Sequence, residues 1–208
     1  RAPEEQPRQV VEVKTFFIDK TEVTNKQYAL CLKAGVCDAP TDREFFDDPA
    51  FADHPVVYVT AYQAAQYCAW LGKRLPASIE WERAARGLNG RLWPWGDTPP
   101  SAATANLITL DNSFFPELTQ PVGSFPDGAA PEGVFDLAGN VWEWTGTTFT
   151  RTGDTYSAAE WDGVANAALA ARGGAWVSQT TRITEIILPA ARASDLDIGF
   201  RCAQSAQP

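Results

Sequence analysis

"ARGGAWVSQTTRITEIILPAARASDLDIGFRC", Ala171 to Cys202, decides how this chain is read. It opens on a glycine turn leading into a tryptophan, closes on an apolar Gly-Phe-Arg-Cys, and carries almost no chemically reactive side chain between. Its short apolar pieces, "ARGGAWV", "TEIIL" and "IGFRC", are separated by Gly, Asp and Ser, and with "VWEWT" upstream they predict strands of a small mixed sheet. The question it poses is whether such a segment reacts or only binds.

Outward from there the chain is organised as an α+β domain. Residues 1–9 ("RAPEEQPRQ") are polar with two prolines and read as a linker, leaving 10–204 as a single domain. "VVEVKTFFIDKTEVT" alternates apolar and polar residues as a half-buried strand does. Thr24 precedes a helix, "NKQYALCLKAG", that Gly35 stops; Thr60 caps a second, "TAYQAAQYCAWLG", ended by Gly72; and "PASIEWERAARG" makes a third, opened by Pro76, with Ser78 as its cap. "HPVVYVT" is extended, and 88–120 is rich in turn formers and aromatics, the kind of long irregular stretch that function or tight packing must hold. No repeat of a solenoid or propeller is visible.

Composition excludes several function classes. At 208 residues one core suffices. The net charge is −9 and the basic residues form no patch, so nucleic acid is not an expected partner. No apolar run approaches the roughly 20 residues that span a bilayer, so no membrane insertion is expected. The chain begins at Arg1 and lacks Met, as a mature or trimmed fragment would. Four cysteines, Cys31, Cys37, Cys68 and Cys202, favour two disulfides in an extracytoplasmic or cell-surface setting over free buried thiols in a cytoplasmic one.

Candidate chemistry is sparse. Eight tryptophans either fill an irregular core or line a sugar or choline site. "DLAGNVWEWT" gathers Asp136, the carbonyls near Gly139 and Val141, and Glu143 around a glycine turn, which suits either calcium or a turn whose carboxylates satisfy local backbone. His54 is the lone histidine, so a multi-imidazole iron, copper or zinc centre cannot be assembled, and no Gly-x-Ser-x-Gly elbow accompanies it. "GLNGRLWPWG" lacks the Gly-Lys-Ser/Thr that grips phosphate.

Taken together, "FFIDKTEVTNKQY", "HPVVYVTAYQAAQYCAWLGKRLPASIEWERAARG", "PWG", "PVGSFPDGAAPEGVFDLAGNVWEWT", "RGGAW" and "DIGFRC" resemble the formylglycine-generating enzyme (sulfatase-modifying factor) family, in order from Phe16 to Cys202. The resemblance implies that family's variant of the C-type lectin fold, low in regular secondary structure. It implies disulfides Cys68–Cys202 and Cys31–Cys37, a calcium site at Asp136, Gly139, Val141 and Glu143, and a second beginning at Asn106 and Leu107 with Asp111 as candidate acidic ligand. The departure lies in the deciding segment. The family's two copper-binding cysteines align with Ser178 and Ile183, and neither a hydroxyl nor an isoleucine replaces a thiolate. Neither copper nor iron is expected, and formylglycine-generating oxidase activity is not.

What remains is first a binding module for a protein or glycan, a monomeric domain of a larger chain, recognising its ligand through 177–198. The candidate residues are Trp176, Val177, Ser178, Gln179, Thr180, Thr181, Ile183, Glu185, Ile187, Arg192, Asp195 and Asp197. Some proteins of this fold are variable proteins of diversity-generating retroelements, and most residues between Trp176 and Gly199 are reachable from an Asn codon by changing its adenines. The alternatives are an enzyme of the formylglycine-generating or pyoverdine-maturation type working through a carboxylate such as Glu185, Asp195 or Asp197, and an accessory domain attached to a kinase or secreted partner.

Overall fold

The structure is a computed structural model, and it describes residues 11–108, 116–152, 155–164, 167–179 and 182–206. The expected linker 1–9, Asp111, Thr180 and Thr181 lie outside the described residues. Elements follow in the order β1 (Phe16–Ile18), α1 (Asn25–Lys33), α2 (Glu44–Asp47), α3 (Ala61–Trp70), α4 (Ser78–Arg86), β2 (Trp142–Thr152), β3 (Thr155–Glu160), β4 (Leu169–Arg172), β5 (Ile186–Ile187), β6 (Ile198–Gly199) and β7 (Ala203–Ser205).

Two helices begin where local chemistry dictates. The Thr24 hydroxyl accepts from Gln27 N at 3.2 Å while Gln27 Oε1 accepts from Thr24 N at 3.0 Å, and Thr60 and Gln63 repeat the exchange at the start of α3. The third start differs from expectation: Ala77 is the N-cap of α4, with Glu80 accepting from its N–H, and the Ser78 hydroxyl accepts from Arg172 Nε at 2.8 Å instead of capping. The first predicted strand shrinks to three residues because its partner β7 is equally short. "HPVVYVT" is not extended throughout: Tyr58 takes a positive φ of 57° in a bend, and the segment joins no sheet beyond the Thr24–Pro55 bridge.

The mixed sheet runs β3-β2-β4-β5, with β6 pairing parallel to β2; all other pairs are antiparallel. β1 and β7 form a separate ribbon that pairs Phe16–Ile18 with Ala203–Ser205. One core packs α1 and α3 on the sheet through Tyr28, Val59, Cys68, Trp144 and Phe200; the other surrounds Trp81 with Leu107, Leu137 and Ile183. Trp81 and Trp144 are wholly buried and each indole N–H is bonded, to Glu143 and to the Val59 carbonyl respectively, so these rings are core.

Both implied disulfides form: Cys31–Cys37 closes the turn after α1, and Cys68–Cys202 joins α3 to the segment entering β7. In the chain-entropy picture a bridge spanning 134 residues stabilises by about 5 kcal/mol and one spanning 6 by about 2 kcal/mol. Replacing Cys68 and Cys202 by alanine is therefore expected to lower the urea midpoint by roughly twice as much as replacing Cys31 and Cys37; equal losses would refute this ordering.

Candidate functional site

β4 ends on Arg172, and Gly173 and Gly174, both at positive φ, turn the chain out of the sheet. A side chain at Gly173 would meet the Trp81 ring at 3.2 Å, so the turn needs glycine for space as well as conformation. Trp176 N then donates to the Asn140 carbonyl, and Ile108 N to the Ser178 carbonyl. The Ser178 hydroxyl accepts from Ala175 N at 3.0 Å while Ser178 N donates to the Ala175 carbonyl, which uses the side chain to close a turn. Ile183, expected on the recognition surface, is 1% exposed and packs in the Trp81 core; an aliphatic side chain at this place gains by burial. Neither position presents a reactive group.

Arg172 holds the return of this segment. Its Nε donates to Ser78 Oγ, Nη1 to the carbonyls of Ile183 and Thr184 at 3.3 and 3.0 Å, and Nη2 to Glu82 at 3.0 Å. Around this clamp Val177 and Gln179 are exposed and Trp176, Glu185 and Ile187 half-buried, the Trp176 indole N–H being buried without a partner. Arg192 and Asp195 are also exposed but rest on a different support: Ala61 N donates to the Ala191 carbonyl and Tyr58 N to that of Asp195, which ties 191–195 to the start of α3. Asp197 is half-buried, and burial followed by the Asp195 charge pushes its carboxyl up. His54 bonds Thr119 Oγ1 at 2.9 Å and packs on Phe51, and burial lowers its pKa; its surroundings are those of a packed side chain.

The Asp136–Glu143 turn carries the densest buried charge. Asp136 and Asn140 adopt positive φ, and a Cβ at Gly139 would stand 2.5 Å from the Asn106 carbonyl oxygen. Glu143, fully buried, accepts from Arg201 Nε at 2.6 Å, Arg201 Nη2 at 2.8 Å and Trp81 Nε1 at 2.9 Å. Asp136 accepts from Gly123 N at 2.6 Å. Reading the sequence missed Glu22 and Arg201. Glu22 is 1% exposed; its Oε1 accepts from Asn140 Nδ2 at 3.1 Å, and its Oε2 has no partner. Burial, then the charge of Asp136, raises the Glu22 carboxyl well above the ordinary range, and burial also raises Asp136 and Glu143. Asn140 in turn accepts from Asn106, whose own Oδ1 is buried without a partner; Leu107 beside it is a core residue.

Three carboxylates thus face a single guanidinium, with two orphaned oxygens nearby, an arrangement short of positive charge. A calcium ion fits that deficit in charge and in its preference for oxygen. Among the described residues no three His, Cys, Asp or Glu side chains converge on one point, so any such ion would depend on backbone carbonyls as well.

The model of the sulfatase-modifying factor enzyme 1-like domain matches residues 1–206. The inactive C-alpha-formylglycine-generating enzyme 2 of Bos taurus is 33% identical over 192 residues, covering 80% of this chain and 58% of that protein. PvdO from Pseudomonas aeruginosa superposes with a TM-score of 0.75 at 27% identity, covering 99% of this chain and 87% of PvdO. Treponema denticola variable protein 1 shares the fold, with a TM-score of 0.66 at 21% identity over 92% of this chain and 84% of that one. The chain spans 37% to 58% of the lengths of several curated relatives.

Glu22→Gln keeps the acceptor for Asn140 and mimics a protonated acid. Because the folded carboxyls hold protons to higher pH than the unfolded chain, stability falls as pH rises from the ordinary Glu value of 4.5 through their raised values. In EDTA, Glu22→Gln is expected to flatten that decline and raise Tm at pH 7.5. A lowered Tm with an unchanged slope would show that the protein needs the Glu22 charge.

Proposed function

The chain belongs to the sulfatase-modifying factor enzyme 1-like family, and we propose that it uses that scaffold to bind rather than to oxidise. One observation carries this reading: at the positions of the family's two cysteines, the Ser178 hydroxyl is spent on a turn and Ile183 is buried in the core, while Val177 and Gln179 beside them are exposed. No thiolate or imidazole is available there to hold copper or iron. Bos taurus formylglycine-generating enzyme 2, named as inactive, supports a family role without the oxidase reaction. The ligand is a protein or glycan, met by Trp176, Val177, Gln179, Glu185 and Ile187, with Arg192 and Asp195 on the neighbouring support. We further propose that this segment is diversified, since Arg172 and Ile108 hold it through its carbonyls and so grip it whatever its side chains.

The same proposal includes a structural calcium held by Asp136, Glu143 and the carbonyls of Gly139 and Val141, with a second at Asn106 and Leu107; the ion would supply the positive charge that the carboxylates lack. The two disulfides support an oxidising, extracytoplasmic compartment as part of the same proposal. No helix of the described residues is long and apolar enough to cross a membrane. A carboxylate enzyme is the second reading, favoured by the raised pKa of Asp197.

Two experiments test these readings. On arrays of glycans and extracellular proteins, Val177→Asp and Gln179→Arg should each weaken a captured ligand roughly tenfold with Tm unchanged, and Asp197→Asn should not; binding indifferent to both surface changes would overturn the assignment. Purified protein should contain calcium but no stoichiometric copper or iron, and chelation should lower its Tm. Copper at one per chain would reinstate an oxidase.

A further inference from the structure

Between α3, the start of α4 and the β2–β3 hairpin lies a cavity of about 620 Å³ that shares no residue with 171–202. That volume is in the range of small-molecule sites. Its walls are short: Ala65 and Ala69 from one face of α3, then Ala77, Ala158 and Ala159, with Gly146 adding no side chain. At one end stands Trp161, its ring in edge contact with Tyr62 at 4.9 Å and its N–H directed to the Val164 carbonyl at 3.3 Å. With the N–H used, the ring can offer a ligand only its π surface.

The charges lining the cavity differ in how they are satisfied. Lys73 is paired with Asp19, and Arg74 forks onto Glu80 at 2.6 and 2.7 Å and reaches Ser205 Oγ. The Glu160 carboxylate is exposed and lies within electrostatic reach of Arg74, whose guanidinium is already forked onto Glu80. The four lining charges sum to zero, but Asp19 already neutralises Lys73, so Glu80 and Glu160 share the single charge of Arg74 and one negative charge is left over, with Glu160 the more exposed of the two. An anionic ligand would have to displace an existing pair, whereas a cation meets a carboxylate and an aromatic face.

We propose that this cavity binds an organic ammonium group on an apolar stem, with the cation between Glu160 and the Trp161 ring and the stem along the alanine walls. A lysine side chain of a polypeptide and a free diamine share that chemistry. The test is titration of the whole chain, followed by amide NMR, with Nα-acetyl-lysine methylamide, with 1,5-diaminopentane, and with hexanoate as the anionic control. Saturable shifts at Ala158 to Trp161 are expected with one or both amines, and which amine binds tells the two sources apart. Glu160→Gln should weaken binding roughly tenfold. Ala69→Phe, at an exposed helix position, should block it while Tm is retained. No saturation by roughly 10 mM amine, equal binding of hexanoate, or indifference to both variants would overturn the proposal.

Discussion

The buried contact between Glu143 and Arg201 organises the molecule. Both side chains are 0% exposed, and the guanidinium forks onto the carboxylate while also donating to the carbonyls of Asp19 and Phe135. One side chain near the C-terminus therefore touches the end of β1, the turn before Asp136 and the first residues of β2. Removing water from two charges is costly, and a pair this deep is retained only if its remaining hydrogen-bond capacity is filled. Trp81 adds a third donor to Glu143, which docks α4 on the same point. The neighbouring Cys202 adds a covalent tie to α3. Truncating Arg201 would leave Glu143 buried beside Glu22 and Asp136 with no cation, a loss of about 3–5 kcal/mol.

A second guanidinium does for the loop what Arg201 does for the frame. Arg172 is 5% exposed and spans Ser78, Glu82 and the carbonyls of residues 183 and 184. Because it reads backbone oxygen rather than side chains, the geometry of the returning loop is insulated from the identity of most residues the loop displays. Ile183 is the exception: as a core residue it anchors the loop by burial. The division between anchors and displayed residues lies within the segment rather than at its ends.

How much of this was legible follows from the range of each interaction. The caps at Thr24 and Thr60 were readable because donor and acceptor sit three residues apart. The sheet was readable as a set of apolar pieces, but not its order, since β6 reaches β2 across more than fifty residues of chain. Ser78 looked like a cap because nothing local reveals that Arg172 takes its hydroxyl. Ile183 looked like surface because polar neighbours surround it in sequence, while its contacts with the Trp81 core are distant. Glu22 was missed for the same reason: in an alternating strand a glutamate reads as the solvent side, yet here the ribbon ends and the chain turns it inward against Asn140.

The buried acidic cluster and the displayed loop are coupled through Asn140. Its side chain bonds Glu22 and Asn106, its carbonyl accepts from Trp176 N, and its own N–H donates to the Asn106 carbonyl. Any proton or cation that relieves the excess negative charge around Glu22 and Asp136 acts on the residue from which the Trp176 turn hangs. The interior cluster and the loop thus share one structural residue, Asn140. On the proposed reading, a family scaffold without thiolates at 178 and 183 still has reason to keep the charged interior, because that interior holds the Trp176 turn from which the segment hangs.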